Sequence, residues 1–130
     1  MSSRSGSTCE DGDVGVAWLV RDGDVLASAE IASTRRTRRT GLLGRNGLEG
    51  FLVLRPCRQV HTVGMRFPID VGWCAGNGEI LRTTQLRPGR ISRFVWRSRF
   101  VIEAEAGAFE CWKLVAGDIV EVHGADGGNA

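Results

Sequence analysis

No apolar run in this chain is long, because turn-forming residues interrupt the sequence at short intervals. Asp22-Gly23, Asn46-Gly47, Gly76-Asn77-Gly78 and Gly117-Asp118 each stand between stretches of strand-forming residues. Asp-Gly and Asn-Gly favour the left-handed backbone that tight hairpin turns demand. The stretches between them are Val14–Val20, Val25–Ile31, Phe51–Leu54, Val71–Ala75, Glu79–Leu86, Phe94–Ala106 and Ile119–Val122, with Gln59–Val63 a further short candidate. Many short strands joined by tight turns predict an α+β fold, a small, mostly antiparallel, barrel-like sheet with one short helix.

The helix is expected at Thr34–Leu43, where Ser33 or Thr34 can cap it and Arg35, Arg36, Arg38 and Arg39 line its solvent side. Ala108–Leu114 reads as a helical turn. In the Phe94–Ala106 stretch, Phe100, Ile102 and Ala104 face one way. Arg99, Val101, Glu103 and Glu105 face the other, which predicts a strand with one polar face. Trp18, Trp73, Trp96 and Trp112 read as core residues. Residues 1–13 are small, polar and acidic and read as a loose tail, 14–123 as one domain, and 124–130 as a frayed end.

Composition excludes some classes. With 42% hydrophobic and 25% charged residues the 130-residue chain can bury a real core. No apolar run approaches the ~20 residues of a membrane-spanning helix. Met1–Ser7 lacks the apolar core of a secretory signal, which points to the cytoplasm. The cysteines Cys9, Cys57, Cys74 and Cys111 are widely spaced and form no Cys-x-x-Cys, so small buried thiols are expected, with no zinc site and no cofactor.

The net charge of +2 hides an asymmetry. Between Arg35 and Arg99 stand 14 arginines against Glu49, Asp70 and Glu79, and Lys113 is the chain's lone lysine. Such a segment either cancels against acidic neighbours in the fold or presents an anion-binding face.

Asp70 is the sharpest single residue. It sits between Pro68-Ile69 and the apolar stretch that starts at Val71, where an ionised carboxylate is costly unless paired. Two readings stay open: an acceptor for backbone N–H groups or an arginine such as Arg45 or Arg66, and a ligand-binding acid in a cleft.

Four patches, taken in order, resemble a family known as domain of unknown function 192, or uncharacterised protein family 0127. They are Gly41-Leu42-Leu43-Gly44-Arg45, Phe51-Leu52-Val53-Leu54, Met65-Arg66-Phe67-Pro68-Ile69-Asp70, and Val101-Ile102-Glu103 with Gly107 and then Gly117-Asp118. The resemblance runs from Val25 to Val122 and implies an α+β fold with a compact, barrel-like sheet and no enzyme activity. Val63-Gly64 departs from it where many members carry an aromatic before the methionine, and Arg66-Phe67 where many carry Asn-Thr.

The leading functional expectation is a non-catalytic binding module for a small anionic ligand or a protein partner, through Met65, Asp70, Arg45, Arg66 and His61. The alternative is a single-stranded nucleic-acid-binding module: Arg87, Arg90, Arg93 and Arg97 would hold phosphates while Phe94 and Trp96 stack on bases. In the bland version of that segment the two aromatics are core. A third reading is a cysteine-dependent enzyme, with Cys57 or Cys74 activated by His61. A metal site from His61, His123, Asp70 and Cys57 lacks the close pairs of a ligand set. No membrane partner is expected, and edge strands in so small a sheet allow a monomer or a weak dimer.

Overall fold

The computed structural model describes residues 14–32 and 47–124. The expected helix Thr34–Leu43, its arginines and Arg45 lie outside the described residues. Seven strands form one sheet: β1 (Val14–Arg21), β2 (Asp24–Ala32), β3 (Phe51–Leu54), β4 (Ile69–Cys74), β5 (Ile80–Leu86), β6 (Phe100–Glu105) and β7 (Val120–Gly124). A single five-residue helix among the described residues, α1 (Ala108–Trp112), follows β6.

The spatial order is β5-β4-β6-β3-β2-β1-β7. The β1–β2 hairpin turns at Asp22-Gly23, both at positive φ as the sequence demands. β2 and β3 run parallel, whereas the other pairings are antiparallel. The sheet is therefore mixed. It is also open, not the barrel-like closure expected: β5 and β7 are its outer strands, and they meet at one corner. There the Ile80 N–H donates to the Asp118 carbonyl at 2.8 Å and the Val120 N–H to the Gly78 carbonyl at 2.9 Å.

Both faces of the sheet are covered. One carries Leu19, Phe51, Val53, Ile102, Val120 and Val122, with Phe109 of α1 packed on them. Trp112 stacks against Phe51 with ring centroids 5.0 Å apart. The other face carries Leu52, Leu54, Ile69, Val71, Trp73 and Val101 under Leu48, Val60 and Phe67 from the connecting segments. A strand buried on both faces loses its amphipathic alternation. This overturns the polar face expected for β6: Val101 and Glu103 are buried like their neighbours.

Two further expectations change. Gln59–Val63 is loop, touching Ile91 through one bridge at His61. The strand expected from Phe94 begins at Phe100, because the chain turns first. The Ser98 N–H donates to the Val95 carbonyl, and the Arg99 N–H joins the Cys74 carbonyl to start the ladder. Among the described residues no helix is long and apolar enough to cross a membrane.

Candidate nucleic-acid interface

The segments before β4 and after β5 lie against each other as a pair of irregular loops. Their contact is built from short polar side chains turned inward. The Thr62 side chain is fully buried, its hydroxyl donating to the Arg87 carbonyl at 2.6 Å and accepting from the Arg90 N–H at 2.8 Å. The Thr62 N–H donates to the Arg90 carbonyl at 2.7 Å, and the Ser92 N–H to the Val60 carbonyl at 2.8 Å. Ser92 Oγ accepts the Val60 N–H at 2.9 Å. Farther along, Ser98 Oγ lies within donating reach of the Cys57 carbonyl at 2.8 Å. The Arg58 carbonyl accepts Trp73 Nε1 at 3.1 Å and the Val95 N–H at 2.9 Å. Irregular backbone held at so many points forms a defined platform.

With the small polar groups turned in, the large ones turn out. Arg58, His61, Arg66, Arg87, Arg90, Arg93 and Arg97 are exposed. So are Ile91 at 69%, Phe94 at 51% and Trp96 at 76%. Phe94 and Trp96 lie beside each other, ring centroids 5.8 Å apart and tilted by 46°. Arg58 Nε donates to the Trp96 carbonyl at 3.1 Å, fixing the backbone under the indole. The expectation that each tryptophan belongs to the core holds for Trp73, fully buried, and not for Trp96 or for Trp18, 43% exposed. A tryptophan that projects among arginines forgoes the burial that usually stabilises it.

Few acidic residues belong to the same stretch of chain, although the exposed Glu105 stands across Ile69 from Leu86, at the Arg87 end of the sheet. From Arg55 to Arg99 the acids are Asp70 and Glu79. Asp70 is buried, and Glu79 precedes β5 at the end opposite to Arg87. Seven residues of strand separate those ends by roughly 20 Å.

The other sequence-predicted residues fall elsewhere. Asp70 lies under α1: its Oδ2 accepts the Gly107 N–H at 2.9 Å and the Phe109 N–H at 3.1 Å, and its Oδ1 accepts Gln85 Nε2 at 3.2 Å. Met65 packs half-buried on the second core face. Burial pushes the Cys74 thiol up to about 12, so it carries no thiolate at neutral pH. The Cys57 thiol donates to the Gln59 carbonyl at 3.3 Å. His123 Nε2 faces Glu121 Oε1 at 2.6 Å on β7. Among the described residues no three His, Cys, Asp or Glu side chains are grouped to hold a metal ion.

Sequence reasoning missed Glu103. It lies between Val71 of β4 and Leu52 of β3, 5% exposed, with no hydrogen bond to its side chain among the described residues. Burial pushes its carboxyl up to about 8. The Val101-Ile102 and Ala104 around it were the available signal, masked by Glu105 two residues on.

No functionally curated protein matches the chain. Two solved structures share its fold. One, called a "putative transcription regulator", from Sinorhizobium meliloti 1021, is 21% identical with a TM-score of 0.68, over 84% of this chain and 93% of that one. The other, a protein of unknown function from Novosphingobium aromaticivorans DSM 12444, is 17% identical with a TM-score of 0.68, over 82% of this chain and 83% of that one. Identities this low speak for the fold alone. A family model described as DUF192, Uncharacterized ACR, matches residues 17–122, and with that match, on a mixed seven-stranded sheet, the chain belongs to the domain of unknown function 192 family.

Proposed function

We propose that this domain binds single-stranded nucleic acid on the paired loops, without catalysis. The observation that carries the proposal is the exposed Phe94–Trp96 pair, 5.8 Å between centroids, in a segment, 87–97, that holds four arginines and no acid. Arg87, Arg90, Arg93 and Arg97 neutralise phosphates, and the two rings offer faces on which unpaired bases stack. Paired bases hide their faces in the duplex, so the rings discriminate for single strands. The reading predicts that a mixed-sequence single-stranded DNA displaces itself from the protein far more effectively than the same sequence as a duplex. Equal competition by duplex would remove the stacking role.

A small anionic ligand at Met65, Asp70, Arg66 and His61 has less support. The Asp70 oxygens already accept three N–H groups of the protein, and Met65 packs into the second core face. The exposed Arg66 and His61 instead extend the cationic loop surface.

A further inference from the structure

His61 lies where the two loops pair. It forms an antiparallel bridge with Ile91. The residues beside it are tied across: the Thr62 N–H donates to the Arg90 carbonyl, and the Ser92 N–H to the Val60 carbonyl. Extended backbone sends successive side chains to opposite sides. Val60, Thr62 and Ser92 are accordingly buried, whereas His61, Val63, Ile91 and Arg93 are exposed. The imidazole thus stands on the outward side next to Ile91, since residues paired across a bridge have Cβ atoms about 5 Å apart. The opposite loop brings the cations Arg87, Arg90 and Arg93 to this surface. The loop of His61 itself carries Arg58 and Arg66, and the thiol of Cys57, which is turned to the Gln59 carbonyl. Neither 57–67 nor 87–99 contains an acid. Glu105, at the Arg87 end of the sheet, accepts the Leu48 N–H at 3.2 Å. The His61 ring makes no hydrogen bond or ion pair among the described residues.

Granting single-strand binding on these loops, on which this inference rests, we propose that His61 makes the binding pH-responsive: a backbone phosphate among the arginines settles against the imidazole, which takes up a proton from solvent as the complex forms. Arginine stays charged at every physiological pH, so the guanidinium groups alone give an affinity that does not respond to protons. Histidine is the side chain whose charge ordinarily changes between about pH 5 and 8. An anion brought within about 4–6 Å favours the imidazolium over the neutral ring. The sign follows. Binding takes up a proton, so the single strand is held more tightly as pH falls. The protonated ring also neutralises one phosphate more than the arginines do, which makes binding at low pH more sensitive to salt. The other histidine, His123, lies on β7 and already faces Glu121, so it stays outside this linkage.

The test is fluorescence anisotropy of a rhodamine-labelled oligothymidylate, which has no group titrating between pH 6 and pH 8. It is titrated with the full chain at both values and across a salt series. The parent binds about ten-fold more tightly at pH 6 than at pH 8. Its log–log salt slope is steeper at pH 6 by about 0.7, the share of one further phosphate. Calorimetric titration at pH 7 in two buffers of different ionisation heat shows net proton uptake. His61→Gln, on an exposed side chain, binds as the parent does at pH 8 and loses the tightening at pH 6. His61→Arg, cationic throughout, binds at pH 8 about as tightly as the parent at pH 6. His123→Gln behaves as the parent. Equal affinity at the two pH values, or tightening that His61→Gln keeps or His123→Gln removes, overturns the role of His61 while the binding itself stands. No binding at either pH overturns the nucleic-acid reading and this inference with it.

Discussion

The carboxylate of Asp70, on β4, accepts the backbone N–H of Phe109, on α1, at 3.1 Å. A strand residue thereby holds the first turn of a helix 39 positions later in the chain. The same oxygen takes the Gly107 N–H, so two of the donors that a helix start leaves without partners are satisfied from another element. This explains how a five-residue helix, too short to be stable alone, is held on the sheet.

Asp70→Ala leaves the Gly107 and Phe109 N–H groups and the Gln85 amide without their acceptor. The expected loss is about 3 kcal/mol, since each unsatisfied buried donor costs ~1–3 kcal/mol. For a domain of this size that lowers the melting midpoint by roughly 10 °C. Asp70→Asn keeps one acceptor oxygen and falls between the two. Thermal melts by circular dichroism check the order; an Asp70→Ala variant that melts with the parent would contradict the capping role.

Glu103 gives the domain a pH dependence of defined sign. Burial raises its folded-state pKa to about 8, above the unfolded value of about 4.5. Between those values the native state holds a proton that the unfolded state releases, so stability is greatest at low pH and falls as pH rises through this window. Glu103→Gln, which cannot ionise, melts several degrees above the parent at pH 8, and the two converge towards pH 5. Parallel melting curves across that range would show that the carboxyl is not desolvated as described.

Gly78 is fixed by both conformation and space. Its φ is +94°, and any Cβ would meet the Val120 carbonyl. Gly78→Ala therefore pushes apart the corner at which β5 and β7 meet, at an expected cost of ~3 kcal/mol or more. Chemical denaturation measures it. The exposed Gly89, also at positive φ with open space around it, serves as control and loses less on the same substitution.

Much of the sheet was legible because its signals are local. Asp22-Gly23 and Gly76-Asn77-Gly78 announced the two hairpins, and the unbroken run Phe51–Leu54 announced a strand buried on both faces. Non-local arrangement was not legible. Nothing near Phe51 says that β3 pairs in parallel with β2, or that β6 enters between β4 and β3. Glu103 looked solvent-facing because Glu105 shares its face; the covering side chains Leu48, Val60 and Phe67 come from distant segments. Trp96 misled in the opposite direction. Hydrophobicity assigned it to the core, whereas Ser98 and Ser92, anchoring the loop beneath, leave the indole outside. For the site, the arginine-aromatic spacing of 87–97 was visible in sequence, whereas the exposure of its two rings was not.

Exposed side chains contribute little to stability, so Trp96→Ala and Phe94→Ala are expected to melt within about 2 °C of the parent. A larger fall in either would mean that the ring packs against the domain instead of waiting for a partner.

The most direct measurement is fluorescence anisotropy of a labelled, mixed-sequence single-stranded DNA titrated with the protein across a salt series. Engagement of Arg87, Arg90, Arg93 and Arg97 predicts that the logarithm of the association constant falls against log salt with a slope of about −3. Trp96→Ala should bind about ten-fold more weakly at each salt concentration, with the slope unchanged, because it removes stacking and leaves the charges. No rise in anisotropy at low salt, or equal binding by Trp96→Ala, would contradict the account.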